Sequence, residues 1–257
     1  MKRWHRIVKI PSWLILTILI LAWEIAVRLS SLPEWLLPTP SRVLITLVQQ
    51  MPLMTPHLLI TLLEAGVGFI IAIVFGLLLA WGLDYLPSLK KAIEPLLVAS
   101  QTIPVITIAP LIIIWLGYGL TPKIAVVILV CFFPIVVSFL QGLTLVDPDL
   151  IKLFQTMGAS YGQIFRLVKL PSALPALFSG IRISATYCLM AAIIGEWLGA
   201  RQGLGYYMVL AQKSFYTARV FAVIVLIMVI SLLLYRIIIY LERLLIPWNY
   251  HTGGEDI

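Results

Sequence analysis

Six long apolar runs, interrupted only by isolated polar residues, dominate the chain: about Ser12–Leu29, His57–Leu83, Leu96–Leu116, Lys123–Leu143, Gly180–Leu198 and Val220–Leu241. A helix needs about 20 apolar residues to cross the hydrocarbon core of a bilayer. The pattern therefore predicts an all-α integral membrane protein with about six transmembrane helices, forming a single domain over residues 1–257. Residues 31–56 are Pro-rich and mixed. Within them Ser41–Gln50 is amphipathic: Ser41 can cap it and Val43, Leu44 and Leu47 share a face, which predicts a short helix lying along the membrane surface.

Composition agrees. Hydrophobic residues make up 61% of the chain and charged residues only 11%, against about 25% charged in soluble domains. The net charge of +7 suits membrane orientation better than nucleic-acid binding. Under an N-terminus-inside topology, twelve of the 18 Lys and Arg residues fall on the cytoplasmic side, so both termini are expected there. The basic start MKRWHRIVK followed by an apolar run imitates a secretory signal. However, that run is long, holds Glu24 and lacks a small-residue cleavage site, so an uncleaved first helix is expected. Cys131 and Cys188 lie inside apolar runs and read as buried hydrophobes, while His5, His57 and His251 are too scattered for a metal site. The chain ends in a tail of about 249–257, whose last seven residues, HTGGEDI, read as solvated.

The same topology leaves a cytoplasmic loop of about residues 144–179 between the fourth and fifth spans, and its pattern is unlike the rest. Asp147-Pro148 starts a helix, with Asp as cap and Pro at the first helical position. Leu150, Leu153, Phe154 and Met157 recur at helical spacing before Gly158 stops the run. Ser160 can cap a second short helix in which Ile164, Phe165 and Val168 form an apolar stripe and which Pro171 ends. Two short amphipathic helices joined at a glycine are marginal alone, so their apolar faces need a surface to bind.

GASYGQIFRLVKLPSALP resembles the EAA loop of binding-protein-dependent ABC importer permeases: Gly158 is followed by nine residues and then Val168-Lys169-Leu170-Pro171. The resemblance covers nearly the whole chain, through LLPTPSRVL, PLIIIWLGYGLTPKI, FFPIVVSFLQGLTLVDPDL and GEWLGARQGLGYYM, and is strongest to the nitrate/sulfonate/taurine branch. Within it the last block and LERLLIPWN look most like permeases for pyrimidine precursors of thiamine. One departure stands out, since Lys152-Leu153-Phe154 replaces the Glu-Ala-Ala that names the motif. The resemblance implies a prokaryotic plasma-membrane permease subunit. It also implies a second, identical permease, two ATPase subunits carrying ATP and Mg, and an extracytoplasmic substrate-binding protein. Gly158, Ala159, Ser160, Gln163, Ile164, Phe165, Val168, Leu170 and Pro171 would form the loop that docks on the ATPase.

Charged groups inside spans are costly and suggest function, which singles out Glu64 and Glu196 as candidate pathway residues. Gln101, Thr102 and Pro104 join them, because Pro104 and Pro110 break the third span and the freed carbonyls need protein or water. Gly66, Gly68 and Gly76 suit close helix packing, and the aromatics of residues 205–219 suit an interfacial belt. No GxxxxGK[ST] phosphate loop and no catalytic constellation occurs, so a non-catalytic subunit that binds no cofactor itself is expected. Alkanesulfonate, taurine or nitrate is the alternative cargo. A proton-coupled secondary transporter using Glu64 and Glu196 is the alternative machine, and the absence of visible internal repeats weighs against it.

Overall fold

A computed structural model describes residues 11–30 and 32–251. The basic start and the last six residues, on which part of the orientation argument rests, lie outside the described residues. All regular structure among the described residues is helical: α1 (Ser12–Leu29), α2 (Pro40–Tyr85), α3 (Pro87–Ser100), α4 (Val105–Leu116), α5 (Leu120–Thr144), α6 (Pro148–Thr156), α7 (Tyr161–Ile164), a π-helical turn (Phe165–Lys169), α8 (Leu170–Trp197), α9 (Leu204–Lys213), α10 (Thr217–Leu245) and α11 (Trp248–His251). Four helical stretches are long and apolar enough to cross a membrane, or five if the bent pair α3–α4 counts as one. The chain is a multi-pass membrane protein.

Three expectations about helix boundaries fail, each at proline. The surface helix and second span are one 46-residue helix, α2, which runs through Pro52 and Pro56. Proline removes a helical donor but is tolerated in apolar helices when packing holds the turn. Here Val43, before the prolines, and Met54, between them, are buried against Leu204, Ala222 and Val223, and Thr55 Oγ1 donates to the Met51 carbonyl (2.8 Å). The helix that begins at Tyr161 is likewise not ended by Pro171, and the chain stays helical from Tyr161 to Trp197. The π turn explains this: the Leu170 N–H reaches back to the Phe165 carbonyl, and the wider turn relieves the clash between a proline ring and the carbonyl four residues earlier. Finally, Pro110 leaves α4 unbroken, whereas the bend of 102° falls at residues 101–104 before Val105.

The core is built by close backbone approach. A Cβ on Gly68 would lie 2.6 Å from Val127 Cβ, and one on Gly76 would lie 2.9 Å from Ile135, so α2 and α5 touch along a small-residue ridge. Gly142 and Gly180 do the same between α5 and α8, where a Cβ on Gly180 would lie 2.6 Å from the Pro134 carbonyl oxygen. Gly66, grouped with them on sequence, meets nothing within 4 Å. Ser184 Oγ donates to the Cys131 carbonyl (2.7 Å), so the α5–α8 seam satisfies its polar groups internally. α10 closes the bundle against α8 and α2, and α1 lies outside it, most of its apolar residues exposed. Glu24 holds α1 in place by accepting from the Ser41 N–H (2.9 Å) and Ser41 Oγ (2.8 Å). The cap of α2 is not Ser41, as expected, but Thr39, whose hydroxyl accepts from the Arg42 N–H because Pro40 already opens the helix.

Candidate functional site

At the α6 end, the loop forms largely as its caps dictate. Asp147 accepts from the Asp149 N–H and Pro148 opens α6. Gly158 takes φ +81°, a left-handed conformation that favours glycine. Ser160 and Gln163 then complete a capping box at the start of α7. The apolar stripe, however, does not wait for a partner. Ile164 and Val168 are each 4% exposed, packed inside this chain, and Phe165 lies against Trp81 with ring centroids 6.4 Å apart. From Gly158 to Pro171 the exposed residues are Gly158, Ser160, Gly162, Gln163, Arg166 and Leu167, with Ala159, Leu170 and Pro171 among the half-buried ones. All of α6 is free of buried residues.

What anchors this corner is Asp84, which the sequence reading passed over as the edge of a span. Its carboxylate accepts from Tyr161 Oη (2.6 Å) and pairs with Lys169 Nζ (2.9 and 3.0 Å). Tyr85 adds an edge-to-face contact with Tyr161 at 5.0 Å. A lone acid closing a long apolar run, WGLD, was the available signal. The clasp ties the end of α2 to the start of α7 and to the last residue of the π turn.

At the opposite end, Glu64 and Glu196 sit in a closed polar network rather than on a cavity wall. Glu64, 0% exposed, accepts from Lys123 Nζ at 2.7 Å, although its Oε2 meets no donor. Glu196, 1% exposed, accepts from Thr61 Oγ1 (2.6 Å) and the Gly205 N–H, while the Leu204 N–H donates to Thr61 Oγ1 (2.9 Å). His57 Nδ1 accepts from the Gly203 N–H (3.1 Å). Four segments are thus fastened together: α2, α5, α8 and the start of α9. Glu196 makes these bonds rather than an ion pair with Arg201. Arg201 instead lines, with Lys123, Tyr118 and Gln202, an open cavity of about 700 Å³. The aromatic segment divides too: Tyr207 is buried, 8% exposed, while Phe215 and Tyr216 face outward.

Between the ends, Gln101, Thr102 and Pro104 lie at the α3–α4 break and are exposed. Hydroxyls donate to carbonyls at the break: Ser100 Oγ to Leu97, Thr102 Oγ1 to Ala99 and Thr107 Oγ1 to Pro104, each 2.7 Å, the last two carbonyls also accepting backbone N–H bonds. Gln101 borders a cavity of about 390 Å³ that also touches Phe133, Pro134 and Tyr187. The structure therefore separates the five candidate pathway residues into an exposed group of three and a buried pair.

A family model described as a binding-protein-dependent transport system inner membrane component matches residues 72–247. The chain is 37% identical over 250 residues to a formylaminopyrimidine transport permease protein of Halalkalibacterium halodurans, covering 97% of this chain and 99% of that one. It is 37% identical over 236 residues to a riboflavin transport system permease protein of Chloroflexus aurantiacus (91% and 88% covered). It is 29% identical over 241 residues to a taurine transport system permease protein of Escherichia coli (91% and 88% covered). Among solved structures, inward-facing methionine ABC transporter crystals superpose with a TM-score of 0.67 at 22% identity, over 76% of this chain and 97% of that one.

Proposed function

The chain belongs to the family of binding-protein-dependent transport system inner membrane components, and we propose that its cargo is a pyrimidine precursor of thiamine. As the permease of an ATP-driven importer, it would take this solute from an extracytoplasmic binding protein and release it into the cytoplasm. The observation that carries the cargo is identity to the formylaminopyrimidine permease along nearly the full length of both chains. The riboflavin relative, at equal identity, transports another flat heteroaromatic solute by its name, whereas the sulfonate and taurine relatives stand at 27% and 29%.

In this reading two identical permeases pair in the membrane, each with six spans if α1 crosses as well. The α6 end faces the cytoplasm and two ATPase subunits, which carry the ATP and Mg that this chain has no phosphate loop to hold. α6, Gly158 and α7 dock on the ATPase through their exposed side, with Gln163, Arg166 and Leu167 in contact. Ile164, Phe165 and Val168 act from inside, holding the docking helix rigid against α2. ATP-driven approach of the two ATPases then pulls both loops, and the Asp84 clasp passes that movement into α2 as well as α8. The network at Glu64, Lys123 and Glu196 keeps the outer end of the bundle together while the inner end moves.

The test is reconstitution. The chain, its ATPase and its binding protein are placed in proteoliposomes and supplied with a formylaminopyrimidine, riboflavin or taurine. ATP-dependent uptake of the pyrimidine alone supports the reading. Uptake driven by a proton gradient without ATP refutes it.

A further inference from the structure

Outward-facing residues of α2 at membrane depth form a wholly apolar band, Val67, Ile70, Val74, Phe75 and Leu78 among them. One face of α8 breaks that rule. Ser179, Arg182, Ile183, Thr186, Tyr187 and Met190 follow a helical spacing, and all six are at least partly exposed. Ile183 stands at the middle of the 28-residue helix, with Thr186 and Tyr187 within about one turn of it. The Thr186 hydroxyl donates to the Ile183 carbonyl (2.7 Å), which leaves Tyr187 as the polar group to satisfy. Two recesses of about 390 Å³ each open on this face.

The recess at the α3–α4 break has a distinctive chemistry. Its walls are apolar and aromatic, including Ile103, Phe133 and Pro134, and its polar side chains are Gln101, Tyr187 and Ser100, the last already donating to the Leu97 carbonyl (2.7 Å). Val130 also lines it, and the Val130 carbonyl lacks its helical donor because Pro134 has no N–H. No Lys, Arg, Asp or Glu borders it. The basic residue on the same face, Arg182, is held by Glu242 at 2.7 Å. Exposed hydrogen-bonding groups at this depth need water or a polar ligand, because lipid offers neither.

We infer that this recess is a solute site on the import pathway, selective for a small, flat, uncharged heteroaromatic molecule with donor and acceptor groups on its edge. An amide reads such an edge by complementary donation and acceptance, and Tyr187 and Phe133 offer aromatic surface for a flat ring. A sulfonate or nitrate would enter an apolar recess without a counter-charge, which disfavours it. The inference rests on the importer reading and narrows its cargo from the permease's own walls.

The experiment uses the full chain with its ATPase in nanodiscs and reads thiol labelling, which does not depend on uptake. Both native cysteines are buried, 0% and 1% exposed, and give a low background. Ile103→Cys in the recess and Leu78→Cys on the apolar band are labelled with a charged, membrane-impermeant methanethiosulfonate. Since the thiolate is the reacting species and needs water, Ile103→Cys is expected to react about tenfold faster or more. A formylaminopyrimidine should slow its labelling and ethanesulfonate should not. Gln101→Leu should weaken that protection by about 3–10-fold, the effect of one hydrogen bond.

Labelling of Ile103→Cys as slow as Leu78→Cys would place the face against lipid or a second copy and overturn the inference. Protection by ethanesulfonate, or by neither compound, would overturn it equally. Failure of the wild-type chain to retain an ATPase would refute the importer reading and leave the labelling result standing.

Discussion

Replacing Lys123 with methionine isolates the energetic role of the buried network. Glu64 is 0% and Lys123 7% exposed, with nitrogen and oxygen 2.7 Å apart. At an effective dielectric of about 20, the attraction at that distance is on the order of 6 kcal/mol. Much of it offsets the cost of taking both charges out of water, so the net value of the pair is far smaller. Loss of one partner is different. It leaves Glu64 uncompensated among buried groups, and such losses cost about 3–5 kcal/mol. Protonation of the orphaned carboxyl limits the damage, which places Lys123→Met at the lower end. At roughly 2–4 °C per kcal/mol for a chain near this size, the melting temperature in nanodiscs should fall by about 10 °C. The double variant Lys123→Met/Glu64→Gln removes both charges and keeps the shape, and should recover at least half of that loss. Thermal unfolding followed by size exclusion measures both. A single variant that melts with the wild type, or a double variant no more stable than the single, would show that the ion pair does not hold the helices.

Other perturbations test the remaining links. Gly180→Leu would place a Cβ 2.6 Å from the Pro134 carbonyl and 2.8 Å from Ser138; overpacking of this kind costs about 1–3 kcal/mol, seen as a lower melting temperature. Leu167→Asp, on an exposed residue (62%), should release the ATPase on affinity purification without changing the melting point, whereas Ile164→Asp, at a site 4% exposed, should lower it. Asp84→Asn removes the charge that faces Lys169 while leaving Tyr161 an acceptor. If the clasp carries movement to α2, ATP consumed per solute imported should rise about fivefold, the scale of a modest coupling energy, with ATPase binding intact.

Much of this protein was legible in one dimension because it depends on composition and on contacts between near neighbours. Membrane residence follows from apolar runs longer than a bilayer is thick. The starts of α6 and α7 follow from Asp147-Pro148 and from Ser160 with Gln163, each of which completes its hydrogen bonds within three residues. Gly158 marks the one positive φ of the loop for the same local reason.

Only the tertiary structure decided where prolines interrupt a helix and where they do not. Pro52, Pro56 and Pro171 lie in unbroken helix, held by neighbours far away in sequence or relieved by a π turn, while the bend falls at residues 101–104. It also decided which carboxylates are buried pillars and which polar groups face a recess. Glu64 is 59 positions from Lys123, and Asp84 is 85 from Lys169. No local pattern encodes such partners, because the free energy of a buried charge is set by whatever the folded chain brings within a few ångströms of it.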